Sequence, residues 1–495
     1  MKKLLLGILG LGLLLAGCQE PVEPVVQKIA GPKLVSCDPA DGAQGLTGSE
    51  LTVKLTFDQN IRCSSVQQKK VSVDGGAVID KVSAYNAELK ISLSGLEDGS
   101  GKTYVVNVPD GTVSGFKTNQ TDAAGIAISF TMKYVEPYVP STLDPVKTLT
   151  NPNASPQAVN VYNFLLENSG KKTLSGAQSS QSNKNDFVDF IYSKVGRQPA
   201  LAGYDFIFLQ YSPTPEGWSW EQNYNDISAA KEQWEANGLV SYMWHWNVPN
   251  SEAAWKAGVD DGDFNGYAFY TEKTSFDIRE ALKPGTWQND FIMKDIEEVA
   301  GYLQLLEDEG IPVIWRPLHE AAGNYGLYEG GGSGAWFWWG KHGPEPCKQL
   351  WKLLYDQLVN VYGLDNLIWV WTVDVAAGHE DRNFEWYPGN DCVDIVGVDI
   401  YANDTEAKSL QYQALLDVTK GQKLVTISEC GNIPDPVKCM EAGNAWSWFM
   451  VWCTSDSDGN LALNNENWSL NTLTHWNRVL GSEYVINRED MPSLK

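Results

Sequence analysis

From about residue 151 onward, short apolar β-rich runs alternate with longer amphipathic stretches, and this alternation constrains the fold more than any other feature of the chain. The runs are Thr173–Gln178, Ala200–Phe208, Leu239–His245, Ile311–Glu320, Leu367–Trp371, Val393–Tyr401, Leu424–Glu429 and Trp448–Trp452. Ahead of the fourth, Phe291–Gly310 carries apolar residues at 292, 296, 299, 303 and 306, a helical spacing that Gly310 ends. Lys348–Tyr362 reads the same way. Eight strands with intervening helices over roughly 340 residues predict an α/β fold, a (β/α)8 barrel with long loops. A doubly wound open sheet would need a glycine-rich nucleotide turn after its first strand, and Ser175-Gly-Ala-Gln178 is not one.

In such a barrel, functional side chains collect at the strand ends. Those ends offer Asp205, then His245 with Trp246, then His319 with Glu320, and Trp371 with Asp374. Asp399 with Tyr401, Glu429 and Trp452 follow. Carboxylates, His, Tyr and Trp around one pocket suit a neutral sugar, with carboxylates for acid chemistry and hydroxyls, and aromatics for the flat ring faces. The chain holds 20 Trp, of which half or more are expected in packing. Cleaving a glycosidic bond requires one protonated carboxyl group for the leaving oxygen and one ionised carboxylate to attack the anomeric carbon. Glu320 and Glu429 lie too far apart in sequence for a local motif, so only a fold brings them together. Each alone reads equally well as a salt-bridged rim residue; both at strand ends, among aromatics, favour the chemical reading. His319 is placed to hydrogen-bond within the site and Tyr401 to orient the nucleophile.

A net charge of −25 disfavours nucleic acid or an anionic membrane surface as a partner. His319-Glu-Ala-Ala-Gly323 lacks the second His of a zinc helix, Gly330-Gly-Gly-Ser-Gly334 is not followed by Gly-Lys-Ser/Thr, and there is no Cys-x-x-Cys pair. No metal or organic cofactor is expected.

Residues 1–17 read as a signal segment, with Lys2 and Lys3 ahead of an apolar run from Leu4 to Leu15 that is too short to span a bilayer comfortably. Its end, Leu15-Ala-Gly-Cys18, resembles a bacterial lipoprotein signal, which implies cleavage before Cys18 and a diacylglycerol on that thiol. An ordinary secretory signal is the alternative. Residues 18–31, rich in Pro, Val and Glu, read as a tether; Glu20 and Glu23 resemble a surface-export signal of Bacteroidetes lipoproteins, implying an outer-membrane location. Residues 32–135 alternate apolar and polar at Leu51–Phe57, Glu88–Leu93, Tyr104–Val108 and Ala127–Met132, as a small β-sandwich requires. Pro39-Ala-Asp-Gly42 with Leu55–Asn60 resembles bacterial immunoglobulin-like modules. A spacer is the expected role, with glycan binding as the alternative. Pro137, Pro140 and Pro145 mark 136–150 as a linker to a catalytic domain at 151–495. Besides Cys18 there are seven cysteines, an odd number, of which Cys37 and Cys63 share one small domain and could pair.

Arg316-Pro-Leu-His-Glu320, Trp336-Phe-Trp-Trp-Gly340, Val398-Asp-Ile-Tyr401 and Ser428-Glu-Cys-Gly431 together resemble glycoside hydrolase family 26, the β-mannanases, over about 151–490. The resemblance implies a retaining enzyme with Glu320 as acid/base and Glu429 as nucleophile. It implies substrate contacts from His319, Trp336, Asp399 and Tyr401. His245, Trp371, Trp452 and Asp205 are further candidate contacts from their strand ends. One departure is the long link Ala321–Ala335 before the aromatic run, which reads as a loop insertion lining the cleft. The expected activity is endo-hydrolysis, by double displacement, of β-1,4-mannosidic bonds in mannan, galactomannan or glucomannan by a monomer. A β-glucanase or β-1,3-xylanase of the same family is one alternative. A surface glycan-binding protein with an inactive barrel is another.

Overall fold

The computed structural model describes residues 28–209, 222–327, 332–454, 460–463 and 471–495. The chain divides into two compact units between Val139 and Pro140.

The first unit is a small all-β, immunoglobulin-like sandwich of two four-stranded sheets. One sheet runs Leu34–Asp38, Glu50–Phe57, Glu88–Ser94, Val78–Tyr85 in spatial order; the other runs Ala43–Leu46, Ile126–Met132, Thr103–Val108, Ser72–Asp74. Successive side chains of a strand point to opposite faces, so Val53, Leu55 and Phe57 share the buried face with Leu89, Ile91 and Leu93. Tyr104, Val106, Phe130 and Met132 close the core from the second sheet. The strands expected from alternation are present. Those at 34–38, 43–46, 72–74 and 78–85 escaped the sequence reading because their side chains stay largely out of the core. Cys37 and Cys63 both border this core and are unbridged.

The second unit is a closed parallel barrel with alternating helices. Its strands are β1 (Thr173–Gln178), β2 (Leu201–Asp205), β3 (Leu239–Met243), β4 (Val313–Arg316), β5 (Leu367–Thr372), β6 (Ile395–Ile400), β7 (Leu424–Cys430) and β8 (Trp446–Val451). Each pairs in parallel with the next, and β8 returns to β1 through Trp448 opposite Leu174 to Val451 opposite Ala177. The helix before β4, Trp287–Asp308, buries Ile292, Ile296, Val299, Leu303 and Leu306 on its barrel side, as the spacing requires. Thr286 caps it, its hydroxyl accepting from the Asn289 N–H at 3.1 Å. The next, Pro344–Tyr355, begins earlier than its apolar pattern suggests because proline fits the first helical turn, and it widens into a π-turn over Asp356–Val361.

Part of the expected linker belongs to the barrel. The Ser141 N–H donates to Asp417 at 2.9 Å, the Asp144 N–H to the Gly421 carbonyl at 2.8 Å and the Thr150 N–H to Asp394 at 2.6 Å. A segment whose amide groups find partners in this way is docked on the barrel.

Inside the barrel the walls come very close. A Cβ on Gly397 of β6 would lie 1.9 Å from Ser428 Oγ of β7, and Thr372 of β5 donates to that same Oγ at 2.8 Å. The barrel centre is therefore a packed core.

Candidate active site

β4 ends at Arg316, and the buried guanidinium organises the mouth of the barrel. Nη1 donates to Asp399 Oδ2 at 2.9 Å, while Nη2 donates to Glu429 Oε1 and contacts Met243 Sδ at 3.2 Å. A planar fork that reaches two carboxylates on neighbouring strands is a task for Arg rather than Lys.

Immediately afterwards the backbone turns sharply. Leu318 and Glu320 both have φ of 51°, in the left-handed region that side chains with a Cβ disfavour by on the order of 1–3 kcal/mol each. The turn is held from both sides. The Glu320 N–H donates to the Thr372 carbonyl at 3.2 Å, and Trp339 Nε1 donates to the His319 carbonyl at 2.9 Å. Trp338 braces the segment that follows β3 in the same way, through Nε1 to the Trp246 carbonyl at 2.7 Å. These tryptophans are fully buried. The Trp-Phe-Trp-Trp run thus locks the strained segment that aims Glu320. Trp336, which opens the run, is half-buried and lies against Gly323, where a Cβ would stand 3.1 Å from its ring. Gly323 has φ of +48°, so only glycine suits both the turn and the approach.

Glu429 reaches the same place by an irregularity. Thr426 and Ser428 both border the interior at Gly397, so strict alternation would point Glu429 outward. The β6–β7 register slips between Val398 and Asp399, setting Asp399 opposite Glu429, and the extra residue turns the glutamate inward. Its oxygens are then used separately: Oε1 accepts from Arg316, and Oε2 accepts from the Tyr401 hydroxyl at 2.8 Å. Both oxygens of the Glu429 carboxylate thus accept from donors of the chain.

Glu320, Asp399 and Glu429 each bring an oxygen within 4.8 Å of the other two. One guanidinium cannot balance so many acids in a buried site. Burial, followed by the charges of Asp399, Glu429 and Asp374, pushes the Glu320 carboxyl well above its ordinary range. Burial likewise raises Asp399 to about 7, against the opposing pull of Arg316, and raises Asp374 well above its usual value. The site therefore separates its two glutamates: one is driven to hold a proton, the other is surrounded by donors. The three carboxylates are also the set that would chelate a cation, but Arg316 already supplies positive charge to two of them.

The other residues expected at the strand ends divide into two groups. Asp205, His245 and His319 form a chain: Asp205 Oδ2 lies 2.6 Å from His245 Nδ1, and the two imidazole Nε2 atoms are 3.2 Å apart. Trp452 stands edge-on to His245 at 5.9 Å, and Phe337 faces both imidazoles. Burial, with the charges of Arg316 and His245, holds His319 well below the ordinary histidine value. Trp371, expected as a substrate contact, is instead buried with its ring against Tyr387 at 5.0 Å. It shares strand parity with Trp369, which packs on Trp351 and Tyr355 of the surrounding helix, whereas Thr372 takes the inward place. Cys18 lies outside the described residues. Sequence reasoning assigned no role to Arg316 or Phe337, although both stand inside motifs it quoted; a buried cation at a strand end was the available signal for the first.

A family model for glycosyl hydrolase family 26 matches residues 150–490, and one for a bacterial Ig-like domain matches 28–132. A mannan endo-1,4-β-mannosidase of Thermothelomyces thermophilus is 36% identical over 355 residues, covering 70% of this chain and 63% of that protein. Mannan endo-1,4-β-mannosidase A of a Piromyces species is 36% identical over 321 residues, covering 63% of this chain and 46% of that protein. The chain thus spans about half to just under two thirds of these curated relatives. Among solved structures, a β-mannanase from a symbiotic protist of the termite Reticulitermes speratus, complexed with a gluco-manno-oligosaccharide, is 34% identical. It has a TM-score of 0.58 and covers 71% of this chain and 99% of that one. The family 26 domain of an endo-β-mannanase/endo-β-glucanase from Prevotella bryantii is also 34% identical, with a TM-score of 0.60 over 70% of this chain and 99% of that one.

Proposed function

The chain belongs to glycosyl hydrolase family 26, and from that premise we propose that it is a retaining endo-β-1,4-mannanase acting on mannan, galactomannan or glucomannan. The observation that carries the reading is the pairing of Glu320 and Glu429, with carboxyl oxygens within 4.8 Å of one another. Retaining glycosidases place their carboxyl groups about 5–5.5 Å apart, whereas inverting ones leave about 6.5–9.5 Å for a water. The named activity of the similar proteins, mannan endo-1,4-β-mannosidase, supports the substrate class.

The reaction follows from the division of labour in the site. Glu429, ionised, attacks the anomeric carbon, and Glu320 gives its proton to the leaving oxygen, so the glycosidic bond breaks as the glycosyl–enzyme ester forms. Esterification removes the charge of Glu429, which relieves part of the repulsion that raised Glu320 and matches its second task as base. Glu320 then takes a proton from water, whose oxygen attacks the anomeric carbon and releases Glu429. Arg316 and Tyr401 hold the nucleophile oxygens throughout the approach. Trp336, Trp452, Asp399, His245 and His319 form the proposed sugar-binding surface.

The test is the product profile of wild type and Glu429→Ala on unbranched mannan, galactomannan, glucomannan and mixed-linkage β-glucan, with the anomer of the first product followed by NMR. Oligosaccharides of mixed length from mannan, with β-configuration retained and with activity lost in the variant, are expected. A single disaccharide product would replace endo with exo action. Turnover of β-glucan alone would overturn the substrate, and glycan affinity without turnover would overturn the enzyme reading.

The location belongs to the same proposal. Lys2, Lys3, the Leu4–Leu15 run and Leu15-Ala-Gly-Cys18 support lipid attachment at Cys18 and an outer-membrane enzyme with the sandwich as spacer. Palmitate incorporation that Cys18→Ser abolishes would support it; a soluble, unlabelled wild type would remove it.

A further inference from the structure

Two imidazole Nε2 atoms 3.2 Å apart can share a hydrogen bond only if one carries a proton and the other does not. Asp205 decides which. Its Oδ2 is only an acceptor and lies 2.6 Å from His245 Nδ1, so His245 carries its proton on Nδ1. The Nε2 of neutral His245 is then a bare acceptor, and His319 must donate to it from its own Nε2. Neutral His319 is left with a bare Nδ1. That atom is buried and has no hydrogen-bond partner among the described residues.

We propose that Asp205 is a positioning residue that fixes the hydrogen-bond polarity of the His245–His319 pair and keeps His319 Nδ1 an acceptor for a sugar hydroxyl. The ligand half of this inference rests on the mannanase reading; the tautomer half does not. A second consequence concerns charge. An imidazolium at residue 319 would stand beside Glu320 and favour its ionised form, defeating the acid step. The hydrogen-bond polarity that Asp205 sets leaves His319 Nδ1 without a proton. The buried surroundings of His319, with Arg316 nearby, act in the same direction.

The geometry also says what Asp205→Asn does. Asp205 Oδ1 accepts the His245 backbone N–H at 3.0 Å, so the amide oxygen of the variant stays there and its NH₂ turns to His245 Nδ1. Every bond in the chain then reverses, and His319 Nδ1 becomes a donor. The experiment is imidazole ¹³C and ¹⁵N NMR on the full-length, histidine-labelled protein without ligand. Only five histidines contribute, and Gln substitutions at His342, His379 and His475 assign the remainder. The expected wild-type spectrum has His245 as the Nδ1–H tautomer and His319 as Nε2–H. In Asp205→Asn both should invert, with kcat/KM on manno-oligosaccharides falling at least about tenfold. An Nδ1–H tautomer at His319 in the wild type overturns the proposal even if the variant fails to fold. Unchanged tautomers in a folded variant overturn it, and reversed tautomers with unchanged kcat/KM remove the acceptor role. A wild type that does not hydrolyse mannan would sink the mannanase reading while the spectra still decide the relay.

Discussion

The sandwich and the barrel bury their interiors by different rules. Among the described residues of the first unit, Thr112 is the one polar side chain in the buried class. The barrel buries Arg316, His319, Asp399 and Glu429 together at its mouth, and Asp295, Asp394 and Lys423 elsewhere. An apolar interior is held by the transfer of hydrocarbon out of water. A buried acid costs stability unless it is paired, and three acids around one guanidinium are under-paired. The difference teaches where this chain spends stability on chemistry: the barrel tolerates a costly cluster because the cluster raises one glutamate and provisions the other.

The comparison breaks most directly at Glu320. Glu320→Ala should lower kcat on mannan by about 10²–10⁴-fold and lower it far less on an aryl mannoside whose leaving group needs no proton. Equal losses on both substrates would deny Glu320 the acid role. Arg316→Met should follow, since it strands Asp399 and Glu429 without their cation; a loss of about 3–5 kcal/mol in denaturant unfolding is expected. A neutral result would mean that the acids simply take up protons and that the charge cluster is not held by the guanidinium. Leu55→Ala, in the sandwich core, should cost about 2–5 kcal/mol in that unit by leaving a cavity. It should leave kcat on mannan unchanged, and a fall in kcat would tie the two units together.

The pH dependence of stability is the most diagnostic of the buried acids. A carboxyl raised in the folded chain keeps its proton over a pH range where the unfolded chain has lost it. Stability must then fall as pH rises from about 4, the ordinary carboxylate range, through and beyond the value of about 7 at Asp399. Glu320→Gln carries the neutral form at every pH. Its melting temperature should match wild type near pH 4.5 and exceed it increasingly toward pH 8. The gain is about 1.4 kcal/mol for each pH unit over which only the folded wild type holds the proton. A variant that is uniformly less stable would show that Glu320 is not held protonated by its surroundings. Sandwich unfolding should lack this fall, since no comparable cluster is buried among the described residues of that unit.

Much of this was legible in the residues. Continuous apolar runs such as Leu367–Trp371 announce strands buried on both faces, and the spacing 292, 296, 299, 303, 306 announces the helix that covers them. His245, Glu320 and Tyr401 could be placed at the mouth because each closes an apolar run. Where reading failed, the reason was parity or partnership. Trp371 closes a run like the others but points outward, and half-exposed sandwich strands such as Val78–Tyr85 lack the alternation that reading depends on.

The sequence alone determined the number and order of barrel strands and the pair of glutamates, because hydrophobic periodicity and strand-end position are local properties. Only the tertiary structure decided that Glu429 turns inward, since that depends on a register slip between β6 and β7. It alone set Arg316 between Asp399 and Glu429, and ordered Asp205, His245 and His319 into one chain. Charges, proton positions and pKa values belong to neighbours in space, and a sequence names the groups without saying which will meet.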